Sequence, residues 1–481
     1  MKILYSLKDT NYSKNKRSVL YTLNQNSRIP LHIQLYNALK EEILSKLQAG
    51  DKLPSIRKLA TLYNISKTTV ESAYSQLYAE GFIESKPKSG YYVADILYKN
   101  SNSHATPPLL FTPQQHYKYD FFPAQLRSED FPLKTWKRCF NKAMGESLDF
   151  GSYGDGQGEL GLRDAIALYL NTLRGVKCDS EQIIVCSGFS DSMTLVAKLL
   201  KHKFDAFGME EPGYHVARRV FEEYGYKIKK IKVGNEGMQL SSLKTSNAKL
   251  IYITPSHHYP TGVTMPLAKR VKLLKYINRI CGFIIEDDYD SELVYYNRPI
   301  PSLQGIDNND RVIYMGTFAK SLSPALRVSY MVLPKQLLSL YKMSYDAHFP
   351  RVSITTQKTL ELFIKEEHWE RHLRKIRTIN KKKHHHLKSL LKKHLKNSFE
   401  VVAEGAGLAI LINPTVAFDW NKFKQLAEKN KIKLYFAKER SGGNFEAIRM
   451  GFGGFLLKEL EEAIEAFSLI WHESMDINSN V

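Results

Sequence analysis

The sequence predicts an α/β chain in two parts, a small N-terminal module of three helices and a hairpin followed by a large α/β domain built on a mostly parallel sheet. Three observations predict it. Helical periodicity with capping residues runs from Leu31 to Glu80 and closes on two short strand-like segments. From Tyr98 to His116 a polar, proline-containing stretch without period interrupts the chain as a linker would. Beyond it, apolar strand-like runs alternate with amphipathic segments. At 481 residues the chain is long enough for roughly three domains, which excludes a small binding module. The expected organisation is a first domain over 25–95, a linker over 96–118 and a second domain over 119–475. No repeat of 20 to 50 residues suggests a solenoid.

In the first part, Leu35, Leu39, Ile43 and Leu47 share one helical face, and Ala49-Gly50-Asp51 ends the helix. Ser55 can cap a second helix over 56–63. After the Asn64-Ile65 turn, Ser66 can cap a third over 67–80, with Val70, Ala73, Tyr74 and Leu77 inward and Lys67, Thr68, Thr69 and Ser72 outward. Residues 82–84 and 91–94 read as strands joined by the cationic turn Ser85-Lys86-Pro87-Lys88-Ser89-Gly90, the size of a wing. This is a helix-turn-helix pattern. Residues at the start of such a third helix can face base edges while its amides and flanking cations hold phosphates. A small packing module with solvated polar residues would show the same spacing.

In the larger part, IIVCS, AFGME, LIYITP, FIIEDDY and RVIYMG read as strands, and ligands of such a sheet sit beyond its carboxyl ends. The segment Gly316-Thr317-Phe318-Ala319-Lys320-Ser321 places a lysine among small and apolar residues after a strand, with Arg327 seven residues on. Such surroundings lower an amine's pKa toward Schiff-base chemistry and offer a hydroxyl and a guanidinium for a phosphate. Glu286-Asp287-Asp288-Tyr289-Asp290 ends another strand in acids. Pyridoxal phosphate needs a carboxylate beside its ring nitrogen and a phenol near its 3-oxygen, and Asp287 and Tyr289 supply both, although a plain polar loop would look the same. Tyr214, in Glu211-Pro212-Gly213-Tyr214, could stack on a ring or belong to the core. Gly156-Gln157-Gly158-Glu159-Leu160-Gly161 fits a dinucleotide-binding pattern only in its letters, since no buried strand precedes it.

Two resemblances join these observations. The run from Leu53 to Val93, LPSIRKLATLYNISKTTVESAYSQLYAEGFIESKPKSGYYV, closely resembles the winged helix-turn-helix of GntR-type bacterial regulators. It implies double-stranded DNA as partner, with Ser55, Arg57, Ser66, Lys67, Thr68, Thr69 and Gly90 at or near it. Lys67 stands where the family often has Arg, a point charge in place of a bidentate fork. The segments EEPGY, TPSHHYPTG, IIEDDYDSE and GTFAKSLSPALR, in that order, resemble the fold-type I, aminotransferase-like domain of MocR/GabR-type regulators. That resemblance implies pyridoxal 5'-phosphate as cofactor. Lys320 would hold it covalently, Asp287 would face the pyridine nitrogen, Tyr289 the 3-oxygen and Tyr214 the ring face, with Arg327, Thr317 and Ser190 on the phosphate. Arg449, in Ile448-Arg449-Met450-Gly451-Phe452, stands where aminotransferases keep an Arg for a substrate carboxylate, so it is an expected effector contact or else a structural ion pair.

The chain departs from the family at Ala319, where Ser is common, and at His258-Tyr259 in place of Gln-Phe. His215 and Val216 replace the two arginines of the GABA-responsive member, which weakens a GABA reading. The resemblance implies a transcription regulator that senses pyridoxal phosphate or an amino compound condensing with it, in a head-to-tail homodimer, and not a working enzyme. The alternative is an active aminotransferase carrying a DNA-binding head.

Composition agrees with a soluble globular chain: 43% apolar and 25% charged residues, with no apolar run of about 18 or more. The N-terminal apolar stretch is too short for a signal peptide, so cytoplasm is the expected location and no membrane partner is expected. Cys139, Cys178, Cys186 and Cys281 form no metal-ligand spacing, and His384-His385-His386 lies inside a helical pattern, so no metal is expected. The net charge of +20 favours a polyanionic partner. Eleven Lys and Arg and no acid fall between Arg371 and Asn397, on a predicted long solvated helix whose surface could also touch DNA.

Overall fold

The computed structural model describes residues 23–25, 27, 29–95, 116–145, 148–295, 300–345, 349–438 and 446–475. The chain divides into two compact units, Met1–Gln115 and His116–Val481. Most of the expected linker, residues 96–115, lies outside the described residues.

The first unit holds α1 (Leu31–Ser45), α2 (Ile56–Tyr63), α3 (Lys67–Ala79), β1 (Ile83–Lys86) and β2 (Gly90–Val93). Ser55 and Ser66 cap α2 and α3, their hydroxyls accepting from Lys58 N at 3.3 Å and Thr69 N at 3.1 Å. Each cap satisfies an amide that the helix start would leave without a partner. Asn64 closes α2 in the left-handed conformation, φ 50°, and so sets the turn into α3. Leu35, Leu39, Ile43, Val70, Ala73, Tyr74 and Leu77 are buried together with Ile83 and Val93, so the hairpin is packed onto the helices. The strands pair antiparallel with Lys86 opposite Gly90, and the turn between them is three residues long, shorter than the six the sequence suggested.

The second unit opens with β3 (Tyr119–Asp120), α4 (Leu133–Gly145), α5 (Leu160–Leu173) and β4 (Ile183–Cys186). Next come α6 (Phe189–Leu200), β5 (Ala206–Glu211), α7 (His215–Glu223), β6 (Lys227–Gly234), β7 (Gly237–Met238) and α8 (Leu240–Ser246). The chain continues through β8 (Leu250–Ile253), α9 (Leu267–Arg279), β9 (Phe283–Asp287), α10 (Leu303–Ile306), β10 (Val312–Thr317) and β11 (Ser329–Val332). Three helices follow: α11 (Lys335–Tyr345), α12 (Ile354–Lys365) and α13 (His368–Leu395). It ends with β12 (Phe399–Ala403), β13 (Ala409–Pro414), α14 (Trp420–Lys429), β14 (Ile432–Lys433), β15 (Phe436–Lys438), β16 (Glu446–Gly451) and α15 (Leu457–Glu473).

The central sheet runs β4-β11-β10-β9-β8-β5-β6-β7. Strands β10, β9, β8, β5 and β6 are parallel neighbours, and β11 runs against both β10 and β4. The five apolar runs read from sequence are β4, β5, β8, β9 and β10. Strand β6, KIKKIKVG, is not among them, since its lysines interrupt any apolar run; they flank a strand covered at its end only by the two-residue β7, where charge discourages stray pairing. A second, antiparallel sheet of β12-β13-β16-β15 lies toward the C-terminus and packs on α13 and α15. No helix among the described residues is long and apolar enough to cross a membrane.

Candidate functional site

In the first unit, Ser55, Arg57, Ser66, Lys67, Thr68 and Gly90 are exposed and Thr69 is half-buried. The Ser66 hydroxyl stands 2.7 Å from both Thr68 Oγ1 and Thr69 Oγ1, which fixes three hydroxyls at the first turn of α3. Gly90, at φ +111°, begins β2 after a turn in which Lys88 is left-handed, so the hairpin tip presents lysines outward. Behind this surface Tyr74 donates to Pro54 O at 2.6 Å, tying α3 to the approach of α2. The arrangement is a helix start with free amides flanked by cations, suited to a phosphate backbone.

In the second unit β8, β9 and β10, with the turn that follows β5, open into one cavity. Lys320, Asp287, Tyr289, Tyr214, Thr317, Arg327 and Arg449 all line it. Seven expected residues from four separate segments therefore meet. Ser190 does not line the cavity; it is exposed on the first turn of α6, whose Gly188, Phe189 and Ser192 do.

The acidic run explains its own sorting. Along a strand side chains alternate, so Asp287 and Tyr289 face the cavity while Glu286 and Asp288 turn away. Glu286 accepts from Leu303 N at 2.7 Å and Gln304 N at 2.9 Å, capping α10. Asp288 lies 2.6 Å from Arg174 and accepts from Tyr314 at 2.7 Å; burial opposes its charge, but the guanidinium and the phenol hold the carboxyl below its usual range. On the cavity side Tyr252 donates to Asp287 Oδ2 at 2.6 Å. Burial pushes the Asp287 carboxyl up to about 7, against the pull of that hydroxyl. Burial likewise brings the Lys320 amine down to about 8, against the attraction of Asp290, so its neutral, nucleophilic form is accessible near neutral pH.

Tyr289 donates to His257 O at 3.1 Å, and Lys320 Nζ stands 5.9 Å from the centre of its ring. His257 Nδ1 lies 2.6 Å from Asp290 Oδ2. The loop from Thr254 to Gly262 is anchored from below: Glu210 accepts from Thr254 N at 3.1 Å and sits 3.5 Å from His258 Nε2, with burial raising the carboxyl to about 8 and lowering the imidazole to about 3. Tyr214 packs edge-on against Tyr259 with ring centroids 5.0 Å apart. Arg449, on β16, donates to the Tyr259 hydroxyl at 2.8 Å and lies over its ring at 4.5 Å, while its Nε is buried without a hydrogen-bond partner among the described residues.

One corner is built for an anion. Gly188, at φ +84°, is the N-cap of α6, and a Cβ there would fall 2.4 Å from Arg327 Nη2. The guanidinium thus occupies the space a side chain would fill and stands at a helix start whose amides point outward. Arg327 itself is left-handed, φ 53°, after a short turn over Pro324–Leu326, which aims it back toward Gly188. Thr317 accepts from Ala319 N at 3.1 Å at the end of β10. The set fits pyridoxal phosphate: an anion cradle, a buried carboxylate, a phenol and an amine of lowered pKa around one space.

Sequence reasoning missed Tyr252, Asp290 and Gly188. Tyr252 reads as core from its apolar strand. Asp290 belongs to the acidic run after β9, but nothing local says that it meets His257.

The GxGxxG-like segment has a packing role: a Cβ at Gly158 would strike Val185 and one at Gly161 would strike Glu361. Among the described residues one trio has metal-ligand spacing, Cys139, Glu366 and His368, but Lys142 lies 2.6 Å from the carboxylate and Arg138 2.8 Å from the imidazole, cations that compete with an ion. His384 is buried and accepts from Gly405 N at 3.3 Å, whereas His386 pairs with Glu461 at 2.9 Å, so the histidine run splits between two surroundings.

Comparison with known proteins matches both units. Residues 31–93 match the family of bacterial regulatory proteins, gntR family, and residues 124–467 match aminotransferase class I and II. The chain is 37% identical over 469 residues to the uncharacterized HTH-type transcriptional regulator YdeL of Bacillus subtilis (strain 168), covering 93% of this chain and 98% of that one. It is 34% identical over 420 residues to the probable rhizopine catabolism regulatory protein MocR of Rhizobium meliloti, covering 83% and 85%. Among solved structures, a kynurenine aminotransferase from Pyrococcus horikoshii superposes with a TM-score of 0.66 at 21% identity over 75% of this chain and 92% of that one, a likeness of fold.

Proposed function

Because the chain belongs to the MocR-type transcriptional regulators, a gntR-family DNA-binding domain joined to an aminotransferase class I and II domain, we propose that its second domain binds pyridoxal 5'-phosphate and uses it to sense an amine or amino acid. The observation that carries this reading is the convergence of Lys320, Asp287 and the Gly188–Arg327 corner on one cavity. When bound, the cofactor supplies an aldehyde that condenses with primary amines and a ring that withdraws electrons. The chain's own residues do the rest. Lys320 would hold the cofactor covalently. Asp287, held by Tyr252, would keep a proton on the ring nitrogen, and a cation there would in turn favour the carboxylate form that burial alone disfavours. Tyr289 would stand at the 3-oxygen, Tyr214 against the ring, and Arg327, Thr317 and the first turn of α6 with Ser190 at the phosphate. Arg449 would take an effector carboxylate, its unpaired Nε offering a donor.

In the first domain, Ser55, Arg57, Ser66, Lys67, Thr68, Thr69 and Gly90 would lie at the DNA. We further propose the boundaries 25–95, 96–118 and 119–475, a head-to-tail homodimer that sets two heads on two half-sites, and a cytoplasmic protein. Turnover as an aminotransferase is the less favoured reading, since the relatives that span the chain are named as regulators. The test is reconstitution with pyridoxal phosphate followed by borohydride reduction. A reduced adduct on Lys320 supports the assignment, and cofactor bound elsewhere or not at all overturns it.

A further inference from the structure

The second domain carries a cationic face that its fold does not use. Helix α13 is 28 residues long, and Leu373, Ile376, Leu387, Leu391 and Leu395 on its inner side are buried. On its outer side stand Lys375, Lys381, Lys382, Lys392, Lys393 and, at its end, Lys396, all exposed. At about 100° per residue these six fall within an arc of about 120°, and at about 1.5 Å per residue they extend over about 30 Å. The other residues in that arc are Arg371, Arg374, Thr378, His385 and Ser389, so no acid interrupts it.

The neighbouring cations are treated differently. Arg371 and Arg374 pair within the helix with Glu367 at 3.7 Å and Glu370 at 3.9 Å. Lys383 turns inward to Gly453 O at 2.8 Å and Asp130 at 3.6 Å, and Lys388 is paired with Glu404. On the flank toward α15, Glu461 is engaged by His386 at 2.9 Å. The six outer lysines have no salt bridge among the described residues. Like charges at i, i+4, as at Lys392 and Lys396, cost helix stability by a few tenths of a kcal/mol each, so the row is a small burden on the fold.

We infer that this outer face of α13 is a second DNA-binding surface, which holds the phosphate backbone without reading bases. It rests on the DNA-binding character of the first domain for the choice of polyanion, and on its own geometry for the rest. Lysine suits the task, because an ammonium on a flexible stem meets phosphates as a point charge, where base recognition favours the fork of arginine. A row of about 30 Å is close to one turn of B-form duplex, about 34 Å, and so long enough to meet successive phosphates or to cross a groove. The surface would lengthen the protein's footprint and steepen the salt dependence of binding without altering which sequence is chosen.

The test uses the full chain and random-sequence duplexes of about 15 and about 60 base pairs. In the quadruple variant Lys381→Gln, Lys382→Gln, Lys392→Gln and Lys393→Gln, the long duplex should show a slope of log affinity against log salt shallower than wild type by about three to four, near 0.9 for each phosphate no longer neutralised. The melting temperature should not fall, because the four side chains are exposed and the buried side of the helix is unchanged. On the short duplex the variant and the wild type should differ much less. Equal slopes on the long duplex would overturn the inference. So would unchanged DNA binding together with lost binding to phosphatidylglycerol vesicles, which would assign the face to a membrane surface. Failure of the wild type to bind either duplex would instead contradict the DNA-binding character of the first domain.

Discussion

The two functional regions of this chain are assembled in opposite ways. In the first domain the residues proposed to face DNA lie within 36 positions, from Ser55 to Gly90, on adjacent elements, and almost all are exposed. In the second domain the cavity draws on segments from Pro123 to Arg449, and its central groups are buried. A surface that meets a polyanion needs only cations and amides on a rigid frame, with water free to solvate them before binding. A site that holds a reactive amine beside a carboxylate needs burial, because only exclusion of water moves their pKa values to about 8 and about 7. Substitutions should therefore act locally in the first region and spread in the second.

The largest effect is expected at Lys320. Lys320→Ala should abolish the borohydride-reducible linkage while leaving duplex binding by the first domain intact; loss of both together would join two regions whose construction is otherwise independent. Next is Asp287→Asn in cofactor-free protein. The folded carboxyl is raised from 3.8 to about 7, so its stability contribution is full below about pH 4 and is lost as pH rises through 7. The variant should therefore melt with wild type near pH 4 and above it at pH 8, by up to about 4 kcal/mol from a shift of about three units. Equal melting at both pH values would mean that Asp287 is solvated.

Gly188→Ala comes third. Its methyl must displace the Arg327 guanidinium and accept a positive φ, so pyridoxal phosphate affinity should fall by about tenfold or more, roughly 1.4 kcal/mol, in a titration followed by absorbance. The smallest effects belong to the exposed region. Arg57→Ala or Lys67→Ala should each reduce the salt slope of DNA binding by about one, with the cofactor spectrum unchanged. Ser66→Ala removes the α3 cap and should cost about 1 kcal/mol of the first domain's stability in a denaturant melt.

The same contrast accounts for what could be read in advance. The helix-turn-helix was legible because its caps, its αL turn at Asn64 and its apolar faces are all local patterns. Lys320, Asp287 and Arg327 could be singled out because each sits inside a short chemical motif, the first two at or just beyond a strand end. What escaped depends on distance in sequence: Tyr252 meeting Asp287, Asp290 meeting His257, and the Arg449 guanidinium lying on Tyr259. Such contacts are decided by which strands neighbour one another, and β8 beside β9 is a fact of the sheet order alone. Strand β6 escaped for an energetic reason, since an edge of a sheet tolerates lysine where its interior does not. Ser190 lies on the first turn of α6 but is exposed, whereas Gly188 and Ser192 reach the cavity, a sorting set by how the helix is turned and not by the motif's letters.

Joining the two regions into one regulator requires that a cofactor held in the buried site govern what the exposed site does. The direct measurement is the affinity of the full-length protein for its own promoter region, by footprinting at fixed salt, with and without pyridoxal phosphate and with added primary amines, in wild type and Lys320→Ala. The wild-type footprint should change with cofactor or amine, and the Lys320→Ala footprint should not. A wild-type footprint indifferent to both, in protein that exchanges amino groups between amino and oxo acids over many turnovers, would contradict a sensing role and leave an aminotransferase with a DNA-binding head.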